Sequence, residues 1–137
     1  MALASAALFS LIVKQRGLYG DDERTREAAL ARLGPIEIIL PRTPGQLRHF
    51  YGLSMTAGIV EESIWRGFLL WYFSQFVPLW AAVMLSSVSF GLAHAYQGVA
   101  TIPKYTLTGI VFALIYVLTG SLVVPILLHA LADALQG

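Results

Sequence analysis

Two adjacent carboxylates, Glu61 and Glu62, interrupt an otherwise apolar segment, and Arg66 follows one helical turn later. An ionisable side chain inside a membrane helix costs ~2.5–3.5 kcal/mol on insertion scales, so it marks a functional site by default. Later apolar segments carry His94, His129 and Asp133. On a helix Glu62 and Arg66 stand four apart with the acid first and can pair, which leaves Glu61 turned ~100° away from that partner. A carboxylate held off the guanidinium is free to act as a general base, with an imidazole beside it. The chain has no cysteine, so His, Asp and Glu are its available metal ligands and catalysts. Phe90 and His94 share a helix face, and Phe90 reads as packing that supports the imidazole. Ser87 and Gly91 form a small-xxx-small surface for close helix approach. His129 and Asp133, again four apart, let the carboxylate face or orient the ring. His49, next to Arg48 at the entry of its helix, reads as interfacial and receives no role.

The elements that must position these residues belong in a bilayer. The 137 residues are 57% hydrophobic and only 12% charged, with a mean hydropathy of +0.69, too apolar for an ordinary soluble domain. Residues 67–103 and 105–132 contain no Asp, Glu, Lys or Arg, and each stretch exceeds the ~20 residues a spanning helix needs. Seven of the nine basic residues fall in residues 14–48, which the positive-inside rule places in the cytoplasm. A net charge of +1, with the basic residues spread out, argues against nucleic acid as a partner.

The expected fold class is all-α, a polytopic transmembrane bundle of about four core helices plus a partial N-terminal one. Residues 1–19 are expected to end a membrane helix, with further helices upstream in the natural protein. Residues 20–45 read as a cytoplasmic amphipathic segment and loop, and residues 46–137 as the core. Thr43, Pro44 and Gln46 carry a capping-box pattern for a helix starting near Pro44 and running to about Val77. Pro78 fits the start of a second helix ending near residues 96–98, a third runs from Pro103 to Thr119, and a fourth from Ser121 to about Leu135. Alternating their directions from the cytoplasmic anchor brings Glu61, His94, His129 and Asp133 to overlapping depths, with a bend expected at Pro125.

Glu-Glu-x-x-x-Arg, then Phe-x-x-x-His, then His-x-x-x-Asp, each in its own apolar helix, resembles the CPBP family of intramembrane proteases, which includes CAAX prenyl endopeptidases and bacteriocin-processing proteins. The resemblance covers residues 52–135. It implies that Glu61 and His94 activate the attacking water, that His129 and the residue at 133 stabilise the oxyanion, and that Glu62, Arg66 and Phe90 support them. It also implies an integral membrane protein of a bacterial cytoplasmic membrane, in contact with lipid, acting on a membrane-bound, lipidated or prenylated peptide. Position 133 is Asp where many relatives carry Asn, and an ionised carboxylate accepts hydrogen bonds but donates none to an oxyanion. Either Asp133 is protonated, or it orients His129 while the imidazole alone serves the oxyanion.

No cofactor is favoured. Zinc is the alternative, since Glu61, His94, His129 and Asp133 could all ligate it, although His-Glu-x-x-His is absent. A non-catalytic peptide-binding or bacteriocin-immunity protein needs the same cavity without a poised base. Proton-coupled transport fits less well, because no inverted repeat is visible.

Overall fold

The structure, a computed structural model, describes Arg24, Pro41 and residues 43–135. The expected N-terminal helix of residues 1–19 and most of the segment 20–45 lie outside the described residues.

Helix α1 spans Pro44–Glu62. Thr43 precedes it in an extended conformation, and its Oγ1 accepts the Gln46 N–H at 3.3 Å. Pro44, whose missing N–H costs nothing at a first helical position, opens the first turn. The helix continues without a break, but through a π-helical stretch, Ser63–Leu69, into the short α2, Leu70–Ser74. The sequence predicts one regular helix to about Val77; the structure corrects this in two places. The ladder widens at Ser63–Leu69, where the Leu70 N–H reaches back five residues to the Trp65 carbonyl. It then stops at Ser74, because the N–H groups of Gln75 and Phe76 close tighter turns onto the carbonyls of Tyr72 and Phe73 and a residue preceding proline avoids the α region.

Pro78 caps α3, Leu79–Ala93. Two 3₁₀ turns, Ala95–Gln97 and Val99–Thr101, flank Gly98, whose φ of +113° suits a residue without Cβ. Helix α4, Ile102–Thr119, ends at Gly120, which adopts the left-handed conformation at φ +64° and donates its N–H to the Tyr116 carbonyl at 2.8 Å. Helix α5 covers Val123–Ala134. Pro125 lies in its first turn, where the N–H has no intrahelical acceptor to lose, so the expected cause of a bend ahead of His129 is missing.

All regular structure among the described residues is helical. Helix α1 packs most extensively on α5, and α3 on α4. Small residues set the approach in both pairs. A Cβ on Gly58 would stand 2.9 Å from the Ile126 carbonyl, and one on Gly109 would stand 3.0 Å from Ser87 Cα. A Cβ on Gly91 would fall 2.1 Å from Thr106 Oγ1 and 2.8 Å from the Ile102 carbonyl. Since the carbonyl cannot rotate away, Gly91→Ala is expected to cost about 3 kcal/mol by overpacking. Gly52→Ala, with nothing within 4 Å, should be neutral or stabilising by ~0.5–1 kcal/mol. Thermal unfolding of the two purified variants checks the contrast.

The interior of this assembly is partly polar and the exterior largely apolar. Ser54, Glu62, Arg66, Ser86, Ser87 and His129 are buried, while Trp71, Phe76, Trp80, Leu107, Leu118 and Val123 are more than half exposed. Among the described residues one helical segment, Val99–Thr119 with 21 residues, is long and apolar enough to cross a membrane; Leu79–Ala93 and Val123–Ala134 are apolar but shorter.

Candidate active site

The buried end of the site starts from Glu62. It lies in the last turn of α1, is 0% exposed, and receives Arg66 Nη1 on its Oε1 at 2.8 Å. The i, i+4 pairing predicted from spacing is therefore present. The same oxygen lies 2.6 Å from Nδ1 of His129 on α5. A carboxylate can only accept in its ionised form, so Nδ1 carries a proton and Glu62 fixes the tautomer and tilt of that ring.

Arg66 is itself 1% exposed. Its second nitrogen, Nη2, donates to the Gly109 carbonyl of α4 at 3.4 Å, and its guanidinium lies 4.5 Å from the Phe90 ring centroid and 5.3 Å from that of Phe112. Both contacts are within cation–π range. Phe90 also meets His129 edge-on at 6.2 Å. It thus backs both the cation and an imidazole, wider support than the sequence reading gave it.

The π-helical stretch carries Arg66 at its centre. Besides the long-range bond from Leu70, the Trp65 carbonyl accepts the hydroxyl of Ser86 on α3 at 2.6 Å. A buried serine thereby ties α3 to the widened turn directly behind the carboxylates. Widened turns of this kind recur at functional sites.

Glu61 occupies the accessible side. Its side chain is 32% exposed, yet Oε2 is shut off from solvent and makes no hydrogen bond among the described residues. That oxygen stands 3.8 Å from Nε2 of His94 and 3.9 Å from Nε2 of His129. Asp133 Oδ2 lies 3.6 Å from the same His129 nitrogen. Glu61, His94, His129 and Asp133 therefore converge.

His94 is not within α3, as the sequence predicts, but one residue past its end, at φ −90° and ψ 5°. Its Nδ1 lies 2.8 Å from the Phe90 carbonyl, which can only accept, so this ring too carries its proton on Nδ1 and presents Nε2 to Glu61. Glu62 holds Nδ1 of His129, and Asp133 stands beside Nε2 of the same ring. His49 is exposed on the first turns of α1.

Among the described residues no group of three or more His, Asp or Glu side chains is set to hold a metal ion. Three partners of the cluster escape the sequence reading: Tyr105, whose ring stacks on His94 at 4.2 Å, Phe112, and the Gly109 carbonyl. All lie on α4, and no local spacing ties them to the motifs. A polar aromatic in an otherwise apolar helix is the one hint the sequence holds for Tyr105.

Residues 43–135 match the family model described as type II CAAX prenyl endopeptidase Rce1-like. Over 82 residues the chain is 32% identical to an Escherichia coli relative, "Uncharacterized 24.3 kDa protein", a stretch that covers 58% of this chain and 38% of the relative. The chain thus spans well under half the length of the curated relative it matches. No solved structure matches.

Proposed function

Because the chain belongs to the Rce1-like family of type II CAAX prenyl endopeptidases, we propose that it is an intramembrane endopeptidase hydrolysing a peptide bond in a membrane-associated, prenylated or otherwise lipidated substrate. The family is membrane-embedded. Embedding of this chain as a polytopic bundle in a bacterial cytoplasmic membrane is supported by the apolar exterior of the helices and their buried polar side chains. A bilayer removes the penalty on the former and penalises exposure of the latter.

The observation that carries the chemistry is the buried Glu61 oxygen, 3.8 Å from one imidazole nitrogen and 3.9 Å from the other. A water held by the Glu61 carboxylate and His94 Nε2 attacks the scissile carbonyl carbon. Glu61 and His94 take its proton and return it to the leaving amine, with no covalent acyl-enzyme. His129, with Nδ1–H committed to Glu62, donates from Nε2 as the doubly protonated ring. Asp133 beside it, as the neutral carboxyl, supplies a second donor to the tetrahedral oxyanion.

The test is cleavage of a membrane-tethered prenylated peptide by the full chain reconstituted in vesicles. The expected product has label from ¹⁸O-water in its new carboxylate, and His94→Ala lowers turnover by about 10²–10³-fold. Undiminished turnover in His94→Ala removes the proposal, as does tight peptide binding by the wild type with no cleavage. Chelators are expected to leave the rate intact. Stoichiometric zinc, with activity lost on chelation and restored on addback, replaces this reading with a metal-bound hydroxide.

Asp133→Asn is expected to keep turnover at neutral pH within about threefold, since an amide donates as the neutral acid does. Single-turnover rates of both enzymes at neutral pH check this. A loss of about a hundredfold at neutral pH would instead require the carboxylate itself.

A further inference from the structure

His94 stands at the junction between α3 and the first 3₁₀ turn. Helix α3 ends at Ala93, and the His94 N–H closes only a tight turn onto the Gly91 carbonyl at 3.1 Å. The aim of the imidazole is set by the contacts of its ring. One is the bond from Nδ1 to the Phe90 carbonyl, which lies in the plane of the ring and does not resist tilting out of that plane.

The contacts that do resist tilting are aromatic. The Tyr105 ring on α4 lies on the imidazole with centroids 4.2 Å apart and planes 23° from parallel, and Tyr96 stacks at 6.2 Å and 28°. Both hydroxyls meet at one amide. Tyr105 donates its O–H to Gln97 Oε1, and Gln97 Nε2 donates to the Tyr96 hydroxyl at 3.0 Å. Gln97 is itself held by its N–H to the His94 carbonyl at 3.0 Å. The amide uses a donor and its acceptor to join two rings that face the same histidine.

We infer that Tyr105 and Gln97 are positioning residues for His94, an inference that rests on the role given to His94 above. Gln97 latches the Tyr105 ring flat against the imidazole and so keeps Nε2 directed at Glu61. The latch spans the turns between α3 and α4, and Gly98 in those turns has the backbone freedom to bring Tyr105 over the ring.

The experiment compares Tyr105→Leu, Tyr105→Phe, Gln97→Ala and the Tyr105→Phe/Gln97→Ala double variant, each as the full reconstituted chain, with His94→Ala alongside. Misplacing a reacting group by about 1 Å costs on the order of a hundredfold. Tyr105→Leu, which removes the ring, is expected to lower kcat by about 10²-fold with KM within about twofold. Tyr105→Phe and Gln97→Ala should each lose about tenfold, and the double variant about the same, because both cut one latch. A readout independent of turnover is the rate at which diethyl pyrocarbonate modifies His94, mapped by peptide mass; it should rise several-fold in the latch variants.

Wild-type kcat in Tyr105→Leu, with His94→Ala inactive, overturns the latch and leaves the proposed protease standing. A fully active His94→Ala takes both down together. Losses that multiply to about a hundredfold in the double variant sink the shared latch. So does a fall in kcat that tracks a fall in Tm while His94 modification is unchanged, since that is the behaviour of a merely structural tyrosine.

Discussion

Glu61→Gln is expected to abolish peptide cleavage, lowering kcat by about 10³-fold while the peptide still binds. The substitution keeps shape and volume and removes the basic oxygen. The structural cost should be small, because the side chain is 32% exposed and its Oε2 makes no hydrogen bond among the described residues. The catalytic cost should be large, because that oxygen is the one within 4 Å of both imidazole nitrogens. A single-turnover assay on the reconstituted variant separates these effects. Peptide affinity near that of the wild type with no product is the expected outcome. Product at more than about a tenth of the wild-type rate assigns the proton transfer to another group.

Arg66→Ala should be the most damaging substitution for stability. It strips a fully buried Glu62 of its counter-ion, leaves the Gly109 carbonyl without that donor, and empties the space between the Phe90 and Phe112 rings. Breaking a buried ion pair from one side costs about 3–5 kcal/mol. Replacing both partners by apolar groups of similar size is often neutral or better. Glu62→Leu with Arg66→Met is therefore expected to recover most of the lost stability and none of the activity, since His129 would then lose the acceptor that orients it. Denaturant titration monitored by tryptophan fluorescence, run beside the cleavage assay, distinguishes the two outcomes. A double variant no more stable than Arg66→Ala would locate the value of the pair in packing rather than charge.

What could be read from the sequence was whatever repeats within a turn or two of one helix. Glu62 pairs with Arg66 because four residues make one helical turn, and Thr43, Pro44 and Gly120 mark ends because their backbone chemistry is local. Ser87 and Gly91 announce a close helix contact, and the structure supplies α4 as the partner. The convergence of Glu61, His94, His129 and Asp133 was legible only as a compatibility of depth. What was not legible crosses the chain. The bond from His129 to Glu62 joins residues 67 apart, and that from Arg66 to Gly109 joins residues 43 apart; no spacing rule reaches so far. Glu62 consequently read as a structural partner of Arg66 alone, while in the fold it also holds one of the two imidazoles. The position of His94 beyond the end of α3 was hidden for a related reason. An apolar run continues past it to Tyr96, and the turn that releases it depends on Gly98 and on contacts with α4.

The widened stretch at Ser63–Leu69 is equally silent in the sequence, since no residue type demands an i→i+5 ladder. Yet it fixes how the two ends of one long rod are phased about its axis. Each residue of an α-helix advances the azimuth by ~100°. The i→i+5 ladder takes more residues per turn, so the widened stretch absorbs one extra residue while the two ends stay in phase. Loss of the codon for Ser63 or Ile64 should yield a more regular rod still in register at both ends, with Arg66 drawn one residue closer to Glu62.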